Sequence, residues 1–235
     1  MPRRARFVLP GIPHHVTQRG NHRAAVFFCP QDYLGYLQLL RQHAVCHAVE
    51  IVAYCLMPNH IHLVAVPADL GGLHRLLRAV HGQYAQRINR AKNRTGHLWQ
   101  ARYFSSPLDA AYFLNAVRYV ELNPVRARLA SIAGRYLWSS AGAHCGLRSD
   151  LIVDAIPRST LLSGIANWSR WLAAGIDDEA IDTLRRNGSQ NLPCGSTEFV
   201  RRLEQVAGRD LEFKPRGRSP EPKKGTDTSK SDCPL

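Results

Sequence analysis

Two histidines one residue apart, His60 and His62, stand inside an otherwise apolar stretch, AYCLMPNHIHLVAVP, residues 53–67. Positions i and i+2 of a strand face the same way, so the two imidazoles would lie side by side as half of a metal-binding set. An HxH in a strand is by itself a weak signal, and a structural pair is the plain alternative. A third ligand and a reacting group strengthen it, and RYVELNP offers both. Tyr119 and Asn123 are four residues apart, on one face of a helix with Cβ atoms about 5 to 6 Å from each other. The apolar stripe of that helix is Phe113, Val117 and Val120. At about 100° per residue Tyr119 falls about 120° off the stripe, so packing accounts for it poorly. Tyr84 falls on the stripe of its own helix, and the i+4 partner of Tyr112 is Ala116, which cannot bind an ion. A boundary tyrosine and a turn-forming asparagine are the alternatives for Tyr119 and Asn123.

The elements that must position these residues are legible in outline. IPHHVTQR, bounded by Gly11 and Gly20, reads as a strand, with His14 and His15 as edge residues of that strand. CPQDYLGYLQLLRQHAV carries apolar residues at helical spacing behind Pro30 and Asp32. EIVAYCL and HIHLVAV form a hairpin split by Met57, Pro58 and Asn59. A second helix follows Gly71 and Gly72, and WQARYFSS reads as a fourth strand. The order β-α-β-β-α-β predicts an α+β fold: a ferredoxin-like (RRM-like) sandwich of one antiparallel sheet with two helices on a single face. A third helix is expected next, with Ser106 as N-cap, Pro107 at its first position and Asp109 at its third. The Asn123-Pro124 pair should end it. The predicted organisation is a catalytic domain over residues 1–145, a helical C-terminal extension over 146–213 and a disordered basic tail over 214–235.

Charge suggests the partner. The chain has 31 Lys and Arg against 18 Asp and Glu, a net charge of +13. Between residues 70 and 108 stand Arg75, Arg78, Arg87, Arg90, Lys92, Arg94 and Arg102 with no acid among them. Solvated helix faces ordinarily mix signs. A one-signed run interleaved with Trp99, Tyr103 and Phe104 suits phosphates and stacked bases. The six cysteines are scattered without a CxxC pair, which argues against a zinc ribbon or a disulfide framework. No apolar run reaches the length of about 20 residues that spans a bilayer, so a cytoplasmic, nucleoid-associated protein without a membrane partner is expected.

HIHLV after an MPN turn, GHLWQARYFSS, and RYVELNPVRARLA followed by WSS together resemble the REP-associated tyrosine transposases, relatives of single-tyrosine HUH insertion-sequence (IS200-like) transposases. The similarity covers residues 1 to about 145; LPCGSTEFVRRLE resembles extensions seen in part of that family. The resemblance implies that His60, His62 and Asn123 hold Mg²⁺ or Mn²⁺, with Asn123 where related transposases have glutamine. It implies that Tyr119 attacks a single-stranded DNA phosphodiester, leaving a 5′-phosphotyrosine and a free 3′-hydroxyl. The expected substrate is hairpin-forming, REP-like repeat DNA, with no small-molecule cofactor and a monomeric or dimeric enzyme. DNA contacts are expected from the basic segment with Trp99, from Arg3, Arg4, Arg6 and Arg19, and from Arg118 and Arg126 beside the tyrosine. Two other readings stand beside this one. A catalytically idle nucleic-acid-binding regulator could use the same fold. A zinc hydrolase would need a third ligand and a general base that the spacing does not supply.

Overall fold

The computed structural model describes residues 6–153 and 162–213. Arg3, Arg4 and the tail expected over 214–235 lie outside these residues. The sheet has four antiparallel strands, β1 (His14–Arg19), β2 (Val49–Met57), β3 (His60–Pro67) and β4 (Phe104–Pro107), in the order β2-β3-β1-β4. This is the expected ferredoxin-like sandwich.

Strand alternation divides the sheet into two chemically different faces. Ile61, Leu63 and Ala65 of β3 join Tyr54 and Leu56 of β2 in a core with α1 (Pro30–Cys46) and α2 (Gly72–Ala91). His60, His62 and Val64 have the opposite parity. Val64 packs with Cys55, Phe113, Val117 and Val120 in a second core, under α3 (Ala110–Glu121). The sheet is therefore covered on both sides, and the histidines lie on the α3 side.

Two expectations about local structure give way. WQARYFSS contributes only Phe104–Ser106 to β4, and residues before it form a loop tied to β1 through a Gly20–Trp99 bridge. Ser106 and Pro107 are buried in that strand, paired with His15 and His14, so neither starts α3. The N-cap is Asp109, whose carboxylate accepts the Tyr112 N–H at 2.9 Å. Pro107 is tolerated because β4 is an edge strand, while Asp is as good a cap as Ser. Pro124 ends α3 as expected, and a single further turn, α4 (Asn123–Arg126), follows.

Both sheet edges are sealed by segments from later in the chain. Beside β2, Leu56 N–H donates to Trp138 O, and Ser140 N–H donates to Tyr54 O. Beside β4, Cys194 N–H donates to Pro107 O and Asp109 N–H to Cys194 O. WSS and LPCG thus satisfy backbone groups that would otherwise template association with another strand. The C-terminal helices α6 (Trp168–Ala173), α7 (Asp178–Gly188) and α8 (Thr197–Ala207) follow the short α5 (Ala141–His144). Trp168, Leu172, Ile181 and Leu184 share the α3-side core. No helix among the described residues is long and apolar enough to cross a membrane.

Candidate active site

The site forms where β1 and β3 lie side by side beneath α3. Asn59 closes the tight turn from β2 into β3, and Gly20 docks there, its N–H donating to Asn59 O at 2.8 Å. A Cβ at Gly20 would stand 2.2 Å from Ala24 O, so only glycine permits the return of the chain beside this turn. The Asn59 side chain reaches both ways: its Nδ2 donates to Arg23 O at 3.0 Å, and its Oδ1 lies 2.6 Å from His60 Nδ1.

His60 and His62 do share a face, with ring centroids 4.9 Å apart and planes inclined by 76°. That face is covered rather than open: His62 is 6% exposed and Tyr119 also 6%. The Tyr119 ring meets His62 edge-on at 5.7 Å. Arg126 lies over the other part of the tyrosine, its guanidinium carbon 4.1 Å from the ring centroid and its Nη2 donating to Tyr119 O at 2.7 Å. Asn123 is buried, and its Nδ2 has no partner among the described residues; the same is true of Arg126 Nη1. Tyr119 is neither a boundary tyrosine nor free of the core: despite its angle from the stripe it is buried in the same α3-side cluster as Phe113, Val117 and Val120, because the sheet and the C-terminal helices cover more of α3 than one stripe.

His15 belongs to this group, which its reading as a strand-edge residue did not anticipate. Its Nε2 lies 3.0 Å from His62 Nδ1, the two rings stack at 5.2 Å, and its edge meets Tyr119 at 5.6 Å. The register explains the contact. His15 pairs with Val64, so His62 is its diagonal neighbour on the same face. His14 points the other way and bonds Ile12 O through Nδ1 at 2.7 Å.

Burial keeps these imidazoles neutral. It pushes His15 and His60 down to about 4, helped by the charges of Arg126 and Arg19 respectively, and holds His62 well below the usual histidine range. Neutral nitrogen is the form that ligates metal. Among the described residues no three His, Cys, Asp or Glu side chains gather closely enough to hold an ion by themselves. His60 and His62 thus supply two neutral imidazole donors, and Asn123, buried one helical turn beyond Tyr119, has an amide nitrogen without a partner among the described residues; an ion held by so few protein donors would complete its shell with substrate oxygens.

The same burial predicts acid sensitivity of the fold. His14 and His15 are lowered to about 4 and His81 to about 3, all by desolvation. The unfolded chain takes up these protons near pH 6.5, the folded one only below about 4. Stability is thus complete above about pH 6.5 and falls as pH drops from there toward the folded values, by about 1.4 kcal/mol per group per pH unit. Urea midpoints of the metal-free protein should be level from pH 7 to 8 and decline steadily from 6 to 4.5; a level profile over the lower range would contradict the assignment.

The expected DNA-contacting cations divide into open and engaged groups. Arg19, Arg90, Arg94 and Arg102 are exposed, and Arg19 pairs in register with His60. Arg78 is exposed near the start of α2, where Arg75 is tied to Asp69 at 2.5 Å. Arg87 bonds Gln31 O, and Lys92 lies 4.8 Å over the Phe28 ring. Arg6 covers Tyr103 at 3.7 Å. Trp99 turns inward, its Nε1–H donating to His81 O and its ring against Tyr84. Arg118 is engaged with the extension, its Nη1 donating to Gly175 O at 2.6 Å and its guanidinium 4.2 Å over Trp171. Arg118 does not face the tyrosine, because its position on α3 directs it toward α6.

A ferredoxin-like sheet with a histidine pair beneath a tyrosine-bearing helix is the arrangement that the resemblance to single-tyrosine transposases implied. The sequence model described as "Transposase IS200 like" matches residues 10–123, the part of the chain that carries the sheet, α1, α2 and α3. The solved structure of a REP-associated tyrosine transposase bound to a REP hairpin has a similar fold, with a TM-score of 0.52 and 19% identity over 68% of this chain and 94% of that one. A candidate transposase from Deinococcus radiodurans R1 is 20% identical over 55% of this chain and 92% of that one, with a TM-score of 0.35. No match was found among curated proteins.

Proposed function

We propose that the protein cleaves and rejoins single-stranded DNA at hairpin-forming repeats through Tyr119. The observation that carries this reading is the placement of the Tyr119 ring against His62, with Arg126 over it. The tyrosine oxygen bonds to the scissile phosphorus as the bond to the 3′-oxygen breaks. The products are a 5′-phosphotyrosine and a 3′-hydroxyl, which takes up a proton. Reversal by another 3′-hydroxyl rejoins the strand, so no nucleotide cofactor is consumed. A divalent ion, Mg²⁺ or Mn²⁺, would be held by His60, His62 and the Asn123 amide, and when bound it supplies charge neutralisation at the phosphate oxygens. Arg126 contributes a fixed positive charge at the tyrosine, with Nη1 free to donate to a phosphate oxygen. The exposed cations Arg19, which ends β1 opposite His60, and Arg94 and Arg102, on the segment between α2 and β4, would track the DNA backbone, a role that also makes binding salt-sensitive.

The test is incubation of the full chain with Mn²⁺ and a library of single-stranded hairpins, followed by denaturing electrophoresis. A covalent, SDS-stable adduct is expected with Mn²⁺ and none with chelator. His60→Ala combined with His62→Ala should lose the adduct and keep most salt-sensitive hairpin binding, because phosphate contacts lie elsewhere. Hairpin binding with no adduct from the wild-type protein under any metal would instead favour a non-catalytic regulator.

A further inference from the structure

Each presumed ligand histidine has a second partner on its Nδ1 side. Asn59 Oδ1 lies 2.6 Å from His60 Nδ1, and His15 Nε2 lies 3.0 Å from His62 Nδ1. These contacts come from different elements, a hairpin turn and a neighbouring strand. We propose that Asn59 and His15 are the positioning residues of the site: each accepts the Nδ1–H of one histidine and so fixes it as the tautomer whose Nε2 lone pair is left for an ion. The inference rests on the proposed assignment of His60 and His62 as ligands.

For His60 the direction of the bond follows from the asparagine. Its Nδ2 donates to Arg23 O at 3.0 Å, which fixes the orientation of the amide and leaves Oδ1, a pure acceptor, toward the imidazole. His60 Nδ1 must therefore carry the proton. Between His15 and His62 either ring could donate. Donation by His15 would place the proton of neutral His62 on Nε2 and remove its lone pair from the ligand set. Donation by His62 frees that lone pair, and His15 then carries its own proton on Nδ1, the buried nitrogen that has no partner among the described residues. That unpaired donor would be the cost of accepting from His62, and a ligand histidine donating its second nitrogen to an outer partner is the general arrangement of metal sites. His15 also stacks on His62 with planes only 8° apart, so it sets the ring plane as well as the tautomer.

Long-range ¹H–¹⁵N spectra of the metal-free full chain at pH 7.5 read the tautomers directly and need neither metal nor DNA. Both His60 and His62 are expected as the Nδ1–H form. Either one found as the Nε2–H form overturns the proposal for that histidine. Asn59→Ala and His15→Phe should convert the corresponding histidine to a tautomer mixture and weaken Mn²⁺ binding by about 10 to 100-fold, measured by calorimetry or electron paramagnetic resonance. Asn59→Asp keeps the acceptor and should restore both the tautomer and binding. A merely structural role would lower stability without changing the tautomer and would gain nothing from the aspartate. Should His15→Phe fail to fold, the wild-type spectrum and the Asn59 series still decide the matter. If wild-type protein showed the expected tautomers but formed no adduct with any hairpin, the catalytic reading would fall and the positioning of the two rings would stand; wild-type-like Mn²⁺ affinity in both variants would do the reverse.

Discussion

Tyr119→Phe is expected to abolish the covalent protein–DNA adduct completely while leaving the fold and hairpin affinity nearly unchanged. Phenylalanine has no oxygen with which to bond phosphorus, so the effect is a loss of the step rather than a slowing of it. What the substitution keeps is the ring, and the ring makes the packing contacts: edge-on to His62 at 5.7 Å and to His15 at 5.6 Å, with the Arg126 guanidinium 4.1 Å from its centre. A stability change within about 1 kcal/mol is expected for removal of one hydroxyl. The measurement is the SDS-stable adduct on a single-stranded hairpin with Mn²⁺, beside a binding isotherm at two salt concentrations. Tyr112 is the tyrosine nearest in sequence and lies about two turns earlier on α3, at whose N-terminus its backbone N–H bonds Asp109. An adduct surviving in Tyr119→Phe would remove Tyr119 as nucleophile and direct attention to the other tyrosines.

The residues that proved readable in the sequence are those whose partners are local. The i, i+2 spacing placed His60 and His62 on one face because strand geometry has only two faces. The turn residues Pro58 and Asn59 marked the hairpin, and Pro124 marked the end of α3. His15 was not readable, because its contact with His62 depends on the register between β1 and β3, strands separated by a helix and a further strand. An HH pair at a strand start carries no sign of which histidine will face the site. Asn59 was legible as a turn former, but its side-chain bond to His60 required knowing that the Gly20–Arg23 loop returns beside it. Arg118 and Arg126 looked alike as cations beside the tyrosine. Helical position separates them: Arg126, seven residues on from Tyr119, folds back over its ring, and Arg118 is turned to Gly175 and Trp171. Charge counting could find the basic half of the chain but not which of its arginines are already engaged.

Glu121 shows what lies beneath α3, and its removal should cost more stability than any other single change considered. It is fully buried, between Tyr119 and Asn123 in sequence but on the opposite side of the helix. Its Oε1 accepts from Ser140 Oγ at 2.5 Å and from His144 Nδ1 at 2.6 Å, and its Oε2 accepts from Trp168 Nε1 at 2.6 Å. One carboxylate thus joins α3 to the segment that seals β2 and to the first helix of the C-terminal region. A fully paired buried acid is a poor source of net stability, yet breaking it strands its partners. Glu121→Ala leaves the buried His144 and Trp168 donors without acceptors, Ser140 Oγ with only its longer bond to Tyr54 O at 3.3 Å, and a void, so a loss of about 3 to 5 kcal/mol is expected in urea unfolding. Glu121→Gln keeps the shape but offers an NH₂ where a donor already points, and should lose about 1 to 3 kcal/mol. A double-mutant cycle with Trp168→Phe, which removes only one of the donors along with part of the ring, tests whether the bond to the extension is the operative one. The Trp168 change should be markedly less destabilising in the Glu121→Gln protein than in wild type, with a coupling of about 1 kcal/mol or more. Strict additivity would mean that the extension is held by its apolar contacts alone, and that the orientation of the Tyr119 helix does not depend on this buried acid.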